Sequence, residues 1–256
     1  MLVRRVTANG SQRRPDDLIV EEPMSIQLDD VEIASTMRTP GHDFELAVGF
    51  CHGEGLLAGH PVTDVRYCGT GSAVDTAFNI VSVSTGGRAP EPTPRLGVTT
   101  SSCGWCGSDM LDAMADRATA LPDRDHWPAT DLMAVAERIG DELPLFATTG
   151  AVHGAAAFDR SGEVVVVRED VGRHNAVDKV VGRLLLDGQL PAGELGLFVS
   201  GRASYELVQK AWAAGFDAMV AVSAPTSLAV ETARRANLGL VGFLRGGGAN
   251  RYSPMD

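Results

Sequence analysis

Cysteine is scarce in this chain, four among 256 residues. That is too few for the disulfide framework of a small secreted domain, so a reducing compartment is expected. Basic residues also fall short: 22 Lys and Arg stand against 33 Asp and Glu, a formal net charge of −11. Wrapping nucleic acid requires a basic face, and the deficit argues against nucleic acid as a partner. No apolar run approaches the roughly 18 residues of a membrane helix. Met1 to Asp17 is polar and arginine-bearing, without the apolar stretch of a secretory leader. A cytoplasmic protein with no membrane contact is therefore expected. An apolar content of 44% provides for one large or two modest cores.

What the chain does have is a concentration of its rarest residue. Thr99 to Ser108 reads Thr-Thr-Ser-Ser-Cys-Gly-Trp-Cys-Gly-Ser and places Cys103 and Cys106 in a loop built from glycine and serine. Small residues keep such a loop mobile and solvated. The apolar-periodic run Met110, Leu111, Met114 follows, so a helix is expected to start just after Cys106, with Ser108 or Asp109 as N-cap. Backbone N–H groups at a helix start stabilise a thiolate, the reactive form of cysteine. Sulfur chemistry is the natural reading. A closed zinc site would need two further ligands, and no second C-x-x-C or H-x3-H pair exists, so no metal is assigned. A thioredoxin-like pair should follow a strand of a βαβ unit, whereas this one follows the proline-rich connector Arg88 to Arg95. A cysteine that carries sulfur and a loop that merely binds both remain open.

Along the chain, Asp17 to Glu22 and Ser25 to Thr39 read as strands, the second folding back at Asp29-Asp30 as a hairpin. Asp43 is expected to cap a helix whose apolar positions Phe44, Ala47, Val48 and Cys51 fall at i, i+3, i+4, i+7. Cys51 then packs as a small hydrophobe. Gly53, Gly55 and Gly59 end that helix, and Asp64 to Cys68 and Ala77 to Ser84 follow as strands, with Cys68 in a core position. From Thr130 the pattern becomes a regular alternation. A helix (131–141) leads to two strands (145–158 and 163–168), a helix carrying Val177, Val180, Val181, Leu184 and Leu185, and then strands at 195–200, 218–223 and 240–244. Helices at 204–214 and 227–237 separate these last three. The expectation is an α/β fold with a mainly parallel sheet covered by helices on both faces. Three regions are read: a β-rich α+β region over 1–98, the cysteine loop over 99–108, and the α/β core over 109–256.

Ligands of such sheets bind beyond the carboxyl ends of the strands, and unusual residues stand there. One strand leads into Arg168-Glu-Asp-Val-Gly-Arg-His-Asn175, the next into Ser200-Gly-Arg-Ala-Ser204, another into Ser223-Ala-Pro-Thr-Ser227, and the last into Phe243-Leu-Arg-Gly-Gly-Gly248. Bare N–H groups, helix starts and guanidinium groups suit phosphate. Arg173, His174, Ser200, Gly201 and Arg202 are the candidates for such a ligand. Taken singly, Glu169, Asp170, Arg173 and Lys179 also read as capping and surface charges, and Gly246 to Gly248 as an exit from the fold. The element order is shared with zinc deaminases, which need H-x-E at the first helix start and P-C-x-x-C at the second. Here His174-Asn175-Ala176 and Ser200-Gly201-Arg202 supply neither the glutamate nor the thiolates, so deamination is not expected.

Thr36-Met-Arg-Thr-Pro-Gly-His-Asp-Phe-Glu-Leu-Ala-Val-Gly-Phe50, Ser102-Cys-Gly-Trp-Cys-Gly107, Arg168-Glu-Asp-Val-Gly-Arg-His-Asn-Ala-Val-Asp-Lys179 and Ser200-Gly-Arg-Ala-Ser204 together resemble the formate dehydrogenase accessory sulfurtransferase family, FdhD, from about Asp17 to Tyr252. The resemblance implies a cytoplasmic homodimer with a deaminase-like three-layer αβα core. It implies a protein that accepts persulfide sulfur from a cysteine desulfurase and transfers it to the molybdenum bis-molybdopterin guanine dinucleotide cofactor required by formate dehydrogenase. On that resemblance Cys103 is the persulfide carrier, Cys106 holds or releases sulfur, and Phe243, Leu244, Arg245, Gly246, Gly247 and Gly248 match the family's cofactor-binding stretch. The alternative is a cofactor carrier whose cysteines only bind.

Overall fold

The computed structural model of the chain describes residues 1–67, 77–91, 120–123, 127–245 and 247–254. Cys68, Cys103, Cys106, Gly246 and the helix expected from Met110 lie outside the described residues. The first element is one that sequence patterning does not announce. Leu2–Thr7 (β1) and Gly10–Pro15 (β2) pair antiparallel as a separate two-stranded ribbon. Neither strand alternates apolar with polar residues, because the ribbon has no core to face: Val3 alone escapes full exposure.

β3 (Glu22–Leu28) and β4 (Val31–Arg38) form the expected hairpin. Its turn residues Asp29 and Asp30 sit at φ 45° and 67°, the left-handed pair of a type I′ turn, which aspartate tolerates. β5 (Asp64–Tyr67) and β6 (Ile80–Ser84) complete a four-stranded sheet in the order β4-β3-β6-β5. Met24, Ile26 and Leu28 alternate inward from β3 and meet Leu46, Ala47, Val48 and Cys51 of α1 (Asp43–Gly53). Cys51 is fully buried, and burial pushes its thiol up to about 12. It is the packing residue that the helical spacing predicts. Asp43, by contrast, does not cap α1. His42, in the left-handed conformation, holds the N-cap position, and the Asp43 carboxylate accepts two hydrogen bonds of 3.0 Å from the buried guanidinium of Arg38. An arginine taken out of water requires a counter-charge, and that demand outweighs a local cap.

The larger sheet follows. α2 (Ala129–Asp141) precedes a stretch that reads as strand from Leu145, yet Pro144–Thr149 forms a short helix, α3, and β7 (His153–Phe158) starts only afterwards. Proline in the first helical turn has no N–H to leave unpaired, and Gly150 at φ 65° ends the helix. These two residues override the apolar run between them. β8 (Val164–Asp170), α4 (Arg173–Leu186), β9 (Gly196–Val199), α5 (Tyr205–Ala214), β10 (Ala218–Ala221), α6 (Ser227–Ala236) and β11 (Gly239–Arg245) then alternate as expected. One more strand, β12 (Gly248–Ser253), turns back antiparallel on β11, so Gly247 and Gly248 belong to a hairpin rather than to an exit from the fold.

The sheet order is β12-β11-β10-β9-β7-β8. β9, β10 and β11 are mutually parallel, and β7 is antiparallel to both β8 and β9. β8, β9, β10 and β11 therefore point one way, while β7, between β9 and β8, and β12, at the edge, run against them. β9 and β10 are buried at every residue, as strands covered on both faces must be. Val177, Val180, Leu207, Ala211, Ala229 and Ala233 from α4, α5 and α6 cover one face. Leu132, Val135 and Ile139 of α2, with Trp127, cover the other. The result is a three-layer αβα arrangement.

α1 crosses α4 at backbone contact. A Cβ on Gly49 would stand 1.8 Å from the carbonyl oxygen of Asp178, and one on Gly182 would stand 1.8 Å from that of Glu45. Only glycine lets two backbones meet this way. Among the described residues, no helix is long and apolar enough to cross a membrane.

Candidate functional site

The long polar motif after β8 divides into two sets of residues with different surroundings. Asp170 is fully buried. Its Oδ2 lies 2.7 Å from Lys179 Nζ and accepts the N–H of Thr39 at 3.1 Å. Its Oδ1 accepts the N–H of Gly172 at 2.8 Å and Asn175 Nδ2 at 3.0 Å. Asn175 Nδ2 also donates to the Met37 carbonyl at 2.8 Å, and Lys179 Nζ donates to that of Thr39 at 2.9 Å. Beside them Arg168 forks onto Glu45 with bonds of 2.5 and 2.8 Å. Asp170, Asn175 and Lys179 thus stitch the end of β4 to α4. Their hydrogen-bonding capacity is spent inside the protein. Glu169 turns elsewhere and receives the first N–H groups of α3, those of Leu145 and Phe146, at 3.0 and 2.7 Å.

The second set lies where β8, β9, β10 and β11 end. The β8–α4 junction brings Arg173 and His174 to the first turn of α4, and His174 Nε2 lies 3.2 Å from Glu206 Oε2 at the start of α5. In the β9–α5 junction, Ser200 Oγ accepts the N–H of Gly154 at 2.9 Å, and the Gly201 carbonyl accepts the N–H of Ser223 from the end of β10 at 3.2 Å. The Ser223 carbonyl in turn accepts the N–H of Phe243 in β11 at 3.1 Å. A chain of bonds running along the edge of the sheet therefore sets the four junctions side by side.

Several features of this edge remain open to a ligand. α4 begins at Gly172 with no side-chain cap, and Ser204, the N-cap residue of α5, spends its hydroxyl on Glu206 at 3.0 Å rather than on a backbone N–H. α6 shows the contrast, with Thr226 accepting the N–H of Ala229 at 3.2 Å. Uncapped helix starts leave N–H groups and the positive end of the dipole available to an anion. Arg202 is exposed and has no acidic partner among the described residues. Phe243 adopts φ 54° at a register shift in the β11–β12 ladder and is 36% exposed. A bulky side chain in the left-handed region stores strain, here with an aromatic face offered to solvent.

The predicted residues fall into these surroundings unequally. Arg173, His174, Gly201, Arg202 and Phe243 line the edge. Ser200 is there too, although its hydroxyl oxygen is engaged with β7. Leu244 is buried in the core beneath α2, which leaves only its backbone for a ligand. Arg245 ends β11, and Gly247, at φ 75°, with Gly248 forms the exposed hairpin tip. Two residues that sequence reasoning passed over belong to the same place. His153, at the start of β7, is nearest to Gly201, where an added Cβ would lie 3.6 Å from its Nδ1. Burial, and then the charges of Arg173 and His174, lower its pKa. The hydrogen bond from His174 holds Glu206 at about 2, below the ordinary glutamate value, against the opposing effect of burial. Nothing local marks His153, because it reaches the edge only through sheet order. Ser204-Tyr205-Glu206 at a helix start was a usable signal for Glu206.

The three-layer fold thus gathers uncapped helix starts, an exposed arginine and an exposed aromatic at the ends of its parallel strands, groups whose chemistry suits phosphate and planar rings. Residues 19–256 match the FdhD/NarQ family, and the chain belongs to that family. It is 46% identical over 270 residues to the sulfur carrier protein FdhD of Streptomyces coelicolor, covering 99% of this chain and 93% of that one. It is 42% identical to the sulfur carrier protein FdhD of Mycobacterium tuberculosis, covering 99% and 96% respectively. A crystal structure of a protein assigned as a formate dehydrogenase accessory protein from Desulfotalea psychrophila superposes with a TM-score of 0.76 at 25% identity, covering 99% of this chain and 96% of that one.

Proposed function

We propose that this chain is a sulfur carrier in the maturation of formate dehydrogenase. It accepts persulfide sulfur from a cysteine desulfurase and passes it to the molybdenum bis-molybdopterin guanine dinucleotide cofactor, which is its substrate and cargo, and it works as a homodimer in the cytoplasm. The observation that carries this reading is near-full-length similarity to relatives named for sulfur carriage, in a chain that keeps a Cys103-x-x-Cys106 pair. In the first step the Cys103 thiolate attacks the outer sulfur of the donor's persulfide. The donor's S–S bond breaks, its cysteine leaves as a thiolate, and the persulfide now sits on Cys103. Cys106 assists in holding or releasing that sulfur.

The strand-end edge supports the cargo half of the reading. A guanine dinucleotide presents a pyrophosphate and planar rings. The helix starts at Gly172 and Ser204 and the guanidinium of Arg202 suit the first, and the Phe243 ring suits the second. The test incubates the chain with a cysteine desulfurase and sulfur-labelled cysteine, and measures GDP affinity separately. Label is expected on the wild-type chain and absent from Cys103→Ala, with GDP affinity unchanged in that variant. Phe243→Ala is expected to keep the label and bind GDP roughly tenfold more weakly, the loss of one stacking contact. Label that stays on the desulfurase, or that survives on Cys103→Ala, defeats the reading.

A further inference from the structure

Among the described residues, the β1–β2 ribbon belongs to none of the hydrophobic cores and supplies no side chain to the strand-end edge. Residues 2–15 are exposed apart from Val3, and among the described residues β1 and β2 form a two-stranded sheet of their own. A two-stranded hairpin alone in water is marginally stable. This one carries an added burden, since its register sets Arg4 directly opposite Arg13 and like charges facing each other across a ladder repel. Val3 faces Arg14 and Arg5 faces Gln12, so both faces of the ribbon are basic. Arg14 has Asp16 at 3.9 Å, but Arg4, Arg5 and Arg13 have no acidic partner among the described residues. Leu2 and Val6 share the face of Arg4 and Arg13 and are 64% and 74% exposed. Such a surface has the composition of an interface without its other half.

The charge of the rest of the chain indicates the other half. The ribbon holds four of the 22 basic residues and none of the 33 acidic ones, so the body is more acidic than the whole. A second copy of this chain presents that acidic body at a concentration equal to that of the ribbon. We propose that the β1–β2 ribbon is the arm through which two copies associate, its arginines seated on acidic residues of the other copy and Leu2 and Val6 shielded by the contact. This rests on the homodimer proposed above and assigns the element that builds it.

Sedimentation velocity on the full chain between low and high salt tests the assignment, alongside Arg4→Glu/Arg13→Glu and a variant lacking residues 2–15. The wild type is expected to be dimeric at low salt and to dissociate as salt rises, because exposed charge contacts are screened. Both variants are expected to self-associate at least roughly tenfold more weakly while melting at the wild-type temperature, since the ribbon belongs to no core. A wild type that is monomeric throughout overturns the homodimer and the arm together. A dimer that survives in both variants overturns the arm alone. Loss of an acidic heterologous partner by the variants, with self-association intact, likewise assigns the ribbon elsewhere and overturns the proposal.

Discussion

The seam between α1 and α4 and the edge where β8 to β11 end draw on one stretch of sequence, Arg168 to Lys179, yet they are built on opposite principles. In the seam the buried charges are paired: Lys179 and Asp170 lie 2.7 Å apart at 1% and 0% exposure, and at Gly49 and Gly182 one backbone lies directly against the other. At the edge, two helix starts lack caps, Arg202 is exposed, and Phe243 is held in a strained conformation. Helical geometry accounts for the division. Asn175 and Lys179, four residues apart, lie on one face of α4 and turn inward, while Arg173 and His174 occupy its first turn, where the helix meets the sheet edge. A polar motif is therefore not a roster of ligand contacts, and half of this one holds the fold in the shape that exposes the other half.

The comparison is broken most readily from the seam. Lys179→Met leaves the Asp170 carboxylate buried without its counter-charge, a loss of roughly 3–5 kcal/mol, to be read in urea denaturation. Asp170→Asn added to Lys179→Met is expected to restore part of it. A stable Lys179→Met protein would mean that the pair does not govern the seam. Gly182→Ala drives a methyl group toward the Glu45 carbonyl and is expected to cost about 3 kcal/mol or slightly less, toward the upper end of the overpacking range. An unchanged midpoint would mean that the helices can separate cheaply. The edge supplies the smallest effect. Glu206 has a folded-state pKa of about 2, below its ordinary 4.5, so its bond with His174 contributes stability above about pH 4.5. That contribution is lost as the pH falls toward 2. With the side chain 37% exposed, solvent screening keeps it under roughly 1 kcal/mol. Melting curves of wild type and Glu206→Gln are expected to differ above pH 4.5 and to converge as the pH falls toward 2. A constant offset throughout would remove Glu206 from the titrating pair.

Much of the architecture was legible because it rests on local rules. Asp29-Asp30 between alternating strands predicts a hairpin, Cys51 at the i+7 position of an apolar stripe predicts burial, and the strand–helix rhythm from β8 onward predicts a covered sheet. The misses share a physical cause. Asp43 reads as a cap because capping is a local interaction, whereas its carboxylate is claimed by Arg38 in a buried pair that no local rule foresees. β12 goes unannounced because an antiparallel edge strand after a glycine tip carries little hydrophobic signal. The β1–β2 ribbon was silent for the same reason.

What the chain alone determined was a good share of the parts: the hairpin at Asp29-Asp30, helix α1, the strand–helix rhythm from β8 to β11, and the glycine, arginine and hydroxyl groups at those strand ends. Only the tertiary structure decided that Asp170 and Lys179 neutralise each other under α1, that His153 stands beside Gly201, and that His174 reaches Glu206. Each of those contacts joins elements brought together by sheet order or helix crossing. Burial then makes the pairing matter, since a charge costs far more away from water than it does on the surface.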